Sequence, residues 1–277
     1  MAWAKFGYAG AAAALALAGC APAASGSQAA TQSAPASAQA EFDLGPPYIG
    51  GPLPGGQALV GAPPAEGSPG FARDAAASAA ALDLRGGERW KLAARDADLS
   101  TGAVPRAFSC AAGVAISDAN TPAIAHLMRR AAADFGMSTS GVKEVYQRPR
   151  PFMGNGEPTC DPGSEAALRT NGSYPSGHSA LGYGTGLVLA AAFPDRAAAL
   201  VARGREFGES RRVCNVHWLS DVEAGRTVAA ATFARLQSDP AFREDLRAAQ
   251  AEAQRVVAAE ESEVAGCAAE VEALAMP

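Results

Sequence analysis

Residues 175–193 read PSGHSALGYGTGLVLAAAF, and this stretch decides the fold. From Ser179 to Phe193 it carries no charge and forms the longest uncharged apolar run outside the N-terminus. The run falls short of the ~18 residues a membrane-spanning helix needs, so it reads as a helix buried in a protein core. Ser176 stands at the N-cap, where a hydroxyl accepts a first-turn N–H that has no partner inside the helix. The expected helix runs from Ser176 to Phe193, with the amides of Gly177 and His178 pointing out of its first turn.

The flanking sequence supplies further helices. Downstream, Asp195–Glu209, His217–Gln237 and Asp239–Ala259 follow starts such as Pro194-Asp195 and Ser238-Asp239-Pro240. Upstream, Asn120-Thr121-Pro122 opens a helix through Phe135, with proline in the first turn and Gly136 as its end. A shorter helix from Ser138 to about Gln147 stops at Arg148-Pro149-Arg150-Pro151, because proline lacks a donor and restrains its predecessor. Ala72–Leu82 and Gly87–Asp98 are helical, and residues 153–174 form a Gly/Pro/Asn-rich loop holding Cys160. Period-two strand patterns and internal repeats are absent. The expected architecture is all-α, a compact helical bundle in one domain over 41–277. Its Pro/Gly-rich start, 41–70, forms an extended arm on the surface.

Of 277 residues, 48% are hydrophobic but only 6% aromatic, and 23 basic against 28 acidic residues give a net charge of −5. Such a chain has no general attraction for nucleic acid. Met1–Gly19 has one early positive charge, Lys5, then the apolar run Ala11–Ala18, and closes on Leu17-Ala18-Gly19-Cys20. That ending resembles the lipobox of bacterial lipoproteins, which implies acylation of Cys20 and removal of 1–19 as a signal peptide. Residues 20–40 then serve as a flexible Ala/Ser/Pro/Gln tether. Ala21, rather than aspartate, points to the outer membrane of a bacterial envelope, on the periplasmic side. In this reading the chain meets a membrane only through that anchor.

Cys110, Cys160, Cys214 and Cys267 remain, and four cysteines in an exported chain suggest two disulfides with three pairings open. The sequential pairing, Cys110–Cys160 and Cys214–Cys267, is the expectation. Three histidines and no CxxC spacing give no metal site, and no cofactor is expected.

Three segments concentrate chemistry: Lys143 to Pro151, Pro175 to His178, and Ser210-Arg211 followed by His217 and Asp221. A helix N-terminus at Ser176-Gly177-His178 is a ready anion site. His217 and Asp221, four apart, lie on one helix face, so the carboxylate orients the ring and leaves the other nitrogen free to attack. Lys143, Arg150 and Arg211 can surround an oxyanion, which phosphoryl transfer requires. Arg148 competes with Arg150 for that role. His126 matches no motif and reads as structural, as do Trp90 and Trp218.

The order Lys-x6-Arg-Pro, Pro-Ser-Gly-His, Ser-Arg-x5-His-x3-Asp resembles the three-part signature of the phosphatidic acid phosphatase type 2 superfamily, matched at eleven positions. Tyr146–Phe152, Gly172–His178 and Val213–Val222 are more specifically similar to bacterial class A nonspecific acid phosphatases. The resemblance implies an all-α fold and metal-free hydrolysis of phosphate monoesters, with inorganic phosphate as product and inhibitor. It makes His217 the nucleophile, Asp221 its orienting partner and His178 the leaving-group acid. Lys143, Arg150, Ser176, Gly177 and Arg211 bind phosphate, and the six-residue gap from Lys143 selects Arg150. Two positions depart from the class, Asn215 where a glycine is expected and Arg212 where an apolar residue is usual. A vanadate-dependent haloperoxidase and a catalytically silent phosphate-binding envelope lipoprotein remain alternatives, and self-association stays open.

Overall fold

The computed structural model describes residues 44–259 and 264–275. The expected signal peptide (1–19), Cys20 and the expected tether (20–40) lie outside these residues. Every regular element described is helical: α1 Pro69–Leu82, α2 Glu88–Ala97, α3 Ala103–Ala112, α4 Pro122–Met137, α5 Ser140–Tyr146 and α6 Pro151–Asn155. These are followed by α7 Gly177–Ala192, α8 Ala197–Val213, α9 Leu219–Leu236, α10 Pro240–Ala258 and α11 Cys267–Leu274. Short single turns at Gln57–Val60 and Glu165–Leu168 complete the list of α-helical elements.

The stretch 175–193 forms the central helix. α7 buries Ala180, Leu181, Val188 and Leu189 together with Ser179 and Thr185, so it is enclosed on most sides. It packs on α8, α9 and α4. The approach to α8 is close enough that a Cβ on Gly204 would come 2.7 Å from the Gly182 carbonyl oxygen. A Cβ on Gly225 of α9 would come 2.5 Å from the carbonyl oxygen of Ser176. Backbone-to-backbone contact at these crossings requires glycine, and it fixes the first turn of α7 against α8 and α9. Ser176 caps α7 as its sequence implies, its Oγ accepting the Ser179 N–H at 3.2 Å.

The arm lies across the domain. The N–H groups of Tyr48 and Ile49 donate to the two oxygens of Asp134 at 2.9 and 3.0 Å, and both side chains join the core. The Tyr174 hydroxyl donates to the Val60 carbonyl at 2.8 Å.

Several sequence expectations are corrected. Both disulfides form, but the pairs are Cys110–Cys267 and Cys160–Cys214, not the sequential ones. The reason is spatial: α11 returns beside the end of α3, while the Cys160 N–H donates to the Cys214 carbonyl across the loop after α6. α8 continues past Glu209 to Val213, and α4 runs through Gly136 to Met137. α3 and α11 are helices with no counterpart among the expected ones, and α6 takes the start of the expected loop. Finally, His217 lies outside α9. It precedes the N-cap, Trp218, while Asp221 sits in the first turn and accepts the Trp218 N–H at 2.8 Å. The pair therefore meets across a helix start, with the carboxylate also satisfying an orphan N–H, rather than along one helix face.

Candidate active site

The N-termini of α7 and α9 and the C-terminal end of α8 converge, and they bring the sequence-selected residues together. His217, 3% exposed, places Nδ1 3.3 Å from Oδ2 of Asp221. Its Nε2 lies 3.0 Å from Nη1 of Arg150. A guanidinium can only donate, so Nε2 is the acceptor and the ring proton sits on Nδ1, facing the carboxylate. This tautomer leaves the Nε2 lone pair as the reactive one.

Arg150 is held by carbonyls. Its Nε donates to Leu168 and Asn171 at 2.9 and 3.1 Å, and Nη1 also donates to Val216 at 3.0 Å. Lys143 Nζ donates to the carbonyl of Gly172 at 2.7 Å, and its Cε lies 3.9 Å from where a Gly177 Cβ would stand. Arg211 closes the last turn of α8, is almost fully buried, and has Nε and Nη1 without a hydrogen-bond partner. Among the described residues none of these three cations forms an ion pair with a carboxylate. An unpaired buried guanidinium is costly, and the group that relieves it is an anion.

The electrostatics follow from that crowding. Burial and then Arg150 push the Lys143 ammonium down to about 7. Burial and Arg211 lower Arg150 to about 10, and burial lowers Arg211 to about 10. Both histidines are held well below the usual imidazole range, by burial first and then by the three cations. His178 presents Nε2 to the Ala97 carbonyl at 3.3 Å and stacks on Phe207, leaving Nδ1 as the nitrogen able to exchange a proton.

A buried ion network holds this arrangement from behind. Asp96 accepts both terminal nitrogens of Arg203, at 3.1 and 2.5 Å, and the Ser210 hydroxyl at 2.6 Å. It thereby ties the end of α2, and with it Ala97, to the turn of α8 that carries Arg211. None of these partners except Ser210 belongs to a motif, and lone Asp and Arg residues carry no signal in sequence.

Asn215 adopts φ 62°, a left-handed conformation that accounts for a glycine being expected there and that asparagine tolerates. Its amide donates to the Glu157 carbonyl at 3.0 Å and exchanges hydrogen bonds with Asn155. Arg212 turns away, bonded to Glu209 and the Ala77 carbonyl. His126 is half exposed and pairs with Asp245, outside the site. Trp90 packs on a small cluster around Phe152 and Cys214, and Trp218 donates to the Pro149 carbonyl. Among the described residues no cluster of three or more His, Cys, Asp or Glu side chains is placed to hold a metal ion. Nor is any described helix long and apolar enough to cross a membrane.

The sequence pattern of the PAP2 superfamily matches residues 125–241, which include all eight residues gathered here. The non-specific acid phosphatase of Salmonella typhimurium is 44% identical over 185 residues, covering 66% of this chain and 74% of that protein. That of Providencia stuartii is 42% identical over 196 residues, covering 70% and 79%. The acid phosphatase of Zymomonas mobilis is 39% identical over 193 residues, covering 70% and 73%.

The chain belongs to the PAP2 superfamily.

As a PAP2 protein it assembles the superfamily's three sequence segments from α5 and the loop before α6, from the start of α7, and from the end of α8 with the start of α9.

Proposed function

We propose that this chain is a broad-specificity acid phosphatase that hydrolyses phosphate monoesters through a phosphohistidine at His217. The observation that carries the reading is a buried imidazole whose Nε2 faces cations bonded to carbonyls or to nothing. The substrate phosphate sits among Lys143, Arg150 and Arg211, with the Ser176 hydroxyl and the amides of Gly177 and His178 as further donors. Nε2 of His217 attacks phosphorus, the bond to the ester oxygen breaks, and His178 gives that oxygen its proton. Water then attacks the phosphohistidine while His178 takes its proton, releasing inorganic phosphate and restoring both rings. The imidazolium formed during attack is balanced by Asp221.

The arrangement favours acid conditions. Lys143, down at about 7 without an anion, is charged below that pH and loses its charge above it, so the grip on phosphate weakens as pH rises through 7. A bound phosphate dianion among the three cations reverses their effect on His178 and lets it carry the proton it must donate. Inorganic phosphate fits the same donors and is a product inhibitor.

Purified protein should release phosphate from aryl, sugar and nucleotide esters after EDTA dialysis, and orthovanadate should inhibit it as a five-coordinate mimic. No release from any ester, or release lost to chelator and restored by zinc or magnesium, overturns the reading. Halide oxidation with added vanadate in place of phosphate release would favour a haloperoxidase instead.

The segment Leu17-Ala18-Gly19-Cys20 supports export and a lipid anchor at Cys20, with 21–40 as tether to a periplasmic domain on the outer membrane. Labelled palmitate should enter the wild-type protein in bacteria and be absent from Cys20→Ser. Equal labelling of the two would refute the anchor.

A further inference from the structure

Behind the His217–Asp221 pair lies a second layer whose residues occupy none of the fixed positions of the three superfamily segments. Arg148 is buried in the proline-bounded loop before α6. Its Nη1 donates to Oδ1 of Asp221 at 2.7 Å and to the Ser220 hydroxyl at 2.8 Å. Its Nη2 donates to Oδ2 of Asp74 at 2.8 Å. Asp74, fully buried on α1, also accepts the Ser220 N–H at 2.8 Å and the Ser220 hydroxyl at 2.5 Å. The Trp218 ring covers the guanidinium, 5.3 Å from it. A continuous chain Asp74–Arg148–Asp221–His217 therefore runs from α1 to the attacking nitrogen's ring.

We propose that Arg148 and Asp74 are positioning residues that act on the reaction through Asp221, holding its carboxylate in the charged form and orientation that fix the His217 tautomer. The proposal rests on His217 being the nucleophile. The contact from His217 to Asp221, 3.3 Å, is the longest in the chain, so the carboxylate must be placed by its other partners. Oδ1 is given to Arg148 and Oδ2 to the Trp218 N–H, which aims Oδ2 at Nδ1. Arg148 cannot double as a phosphate ligand, because its two terminal nitrogens are committed to two buried carboxylates and a hydroxyl.

The charge argument points the same way. Burial pushes the Asp221 carboxyl up, and Arg148 is the largest influence pulling it down, ahead of Lys143. The groups facing Asp221 are Lys143 from α5, Arg148 from the loop before α6, and Asp74 from α1 through Arg148 and Ser220. Arg150 from the same loop as Arg148, Tyr174 from the segment before α7 and His217 complete the set. Without Arg148 the carboxyl takes a proton at higher pH. A neutral Asp221 no longer demands a proton on Nδ1 and leaves Arg150 alone to hold Nε2 as the acceptor, so part of the imidazole shifts to the Nε2–H form and cannot attack. Activity that needs the carboxylate is lost as pH falls through its raised pKa, so the acid limb of kcat should move upward.

The test compares kcat and KM across pH for wild type, Arg148→Met, Arg148→Lys and Asp74→Asn. Arg148→Met should move the acid limb up by about one pH unit or more. KM and inhibition by phosphate should stay near wild type. Arg148→Lys should recover part of the shift, and Asp74→Asn should move the limb the same way by less. Nitrogen-15 imidazole spectra give an independent readout, since the chain has only three histidines. His217 should be the Nδ1–H form in wild type and a mixture in Arg148→Met. If Arg148→Met fails to fold, Asp74→Asn and the wild-type tautomer carry the test. A raised KM with an unmoved limb would make Arg148 a phosphate ligand, and an equal loss at every pH would make it merely structural. Either overturns the proposal, as does an Nε2–H ring in wild type. A wild-type protein that releases no phosphate would instead sink the phosphatase reading.

Discussion

His217→Ala is expected to lose activity on every phosphate monoester, by on the order of 10⁴-fold or more in kcat. The size follows from what the ring does and from what remains without it. Its Nε2, held toward Arg150, carries the lone pair assigned to form the bond to phosphorus. Lys143, Arg150 and Arg211 are all donors. Asp221 is spent on Arg148 and the Trp218 N–H, and His178 is directed at the Ala97 carbonyl. The phosphate site itself should survive, because Arg150 keeps its carbonyl partners Leu168, Asn171 and Val216 when the imidazole is gone. Calorimetric titration with inorganic phosphate should therefore give an affinity close to wild type while turnover vanishes. Retained turnover, or radioactive phosphate trapped on any other residue, would show that the covalent route runs elsewhere.

Most of this site was legible because its signals are local. Ser176 announces a helix start, the resemblance to the superfamily's Lys-x6-Arg pattern, counted from Lys143, separates Arg150 from Arg148, and the structure gives those two arginines different partners. What spacing could not supply was direction. Arg148 turns toward Asp74, and an aspartate in the alanine-rich run 72–82 carries no mark that it will lie buried beneath the site. The same limit explains the disulfides. Chain order says nothing of which helix ends meet: α11 reaches α3 through Cys267, and it reaches α8 through Glu270, whose carboxylate lies 3.2 Å from Nε of Arg203. α3 carries Pro105 in its first turn, where a missing N–H costs nothing. The i, i+4 spacing of His217 and Asp221 suggests one helix face. The structure reaches the same contact from the residue before the N-cap, a geometry periodicity does not distinguish.

His178→Ala should behave differently from His217→Ala, and the difference is the sharpest check on the division of labour. The His178 ring is stacked on Phe207 with Nε2 at the Ala97 carbonyl, so its orientation is set by α8 and the end of α2 rather than by a carboxylate. Burial, then Arg211, Arg150 and Lys143, keep it neutral in the absence of an anion. It becomes an acid only when the phosphate dianion offsets those charges. Its value is then the proton it gives the departing oxygen. For an alkoxide leaving from a sugar or glycerol phosphate that proton matters most, whereas p-nitrophenolate departs with little help. His178→Ala should therefore lose ~10²-fold more rate on glycerol phosphate than on p-nitrophenyl phosphate. With the aryl ester, attack by His217 remains while the ring that activates water is missing, so phosphohistidine should accumulate during turnover as acid-labile, base-stable label. Equal losses across leaving groups would contradict the assignment, because a residue that only shaped the pocket would not distinguish an alkoxide from a phenolate.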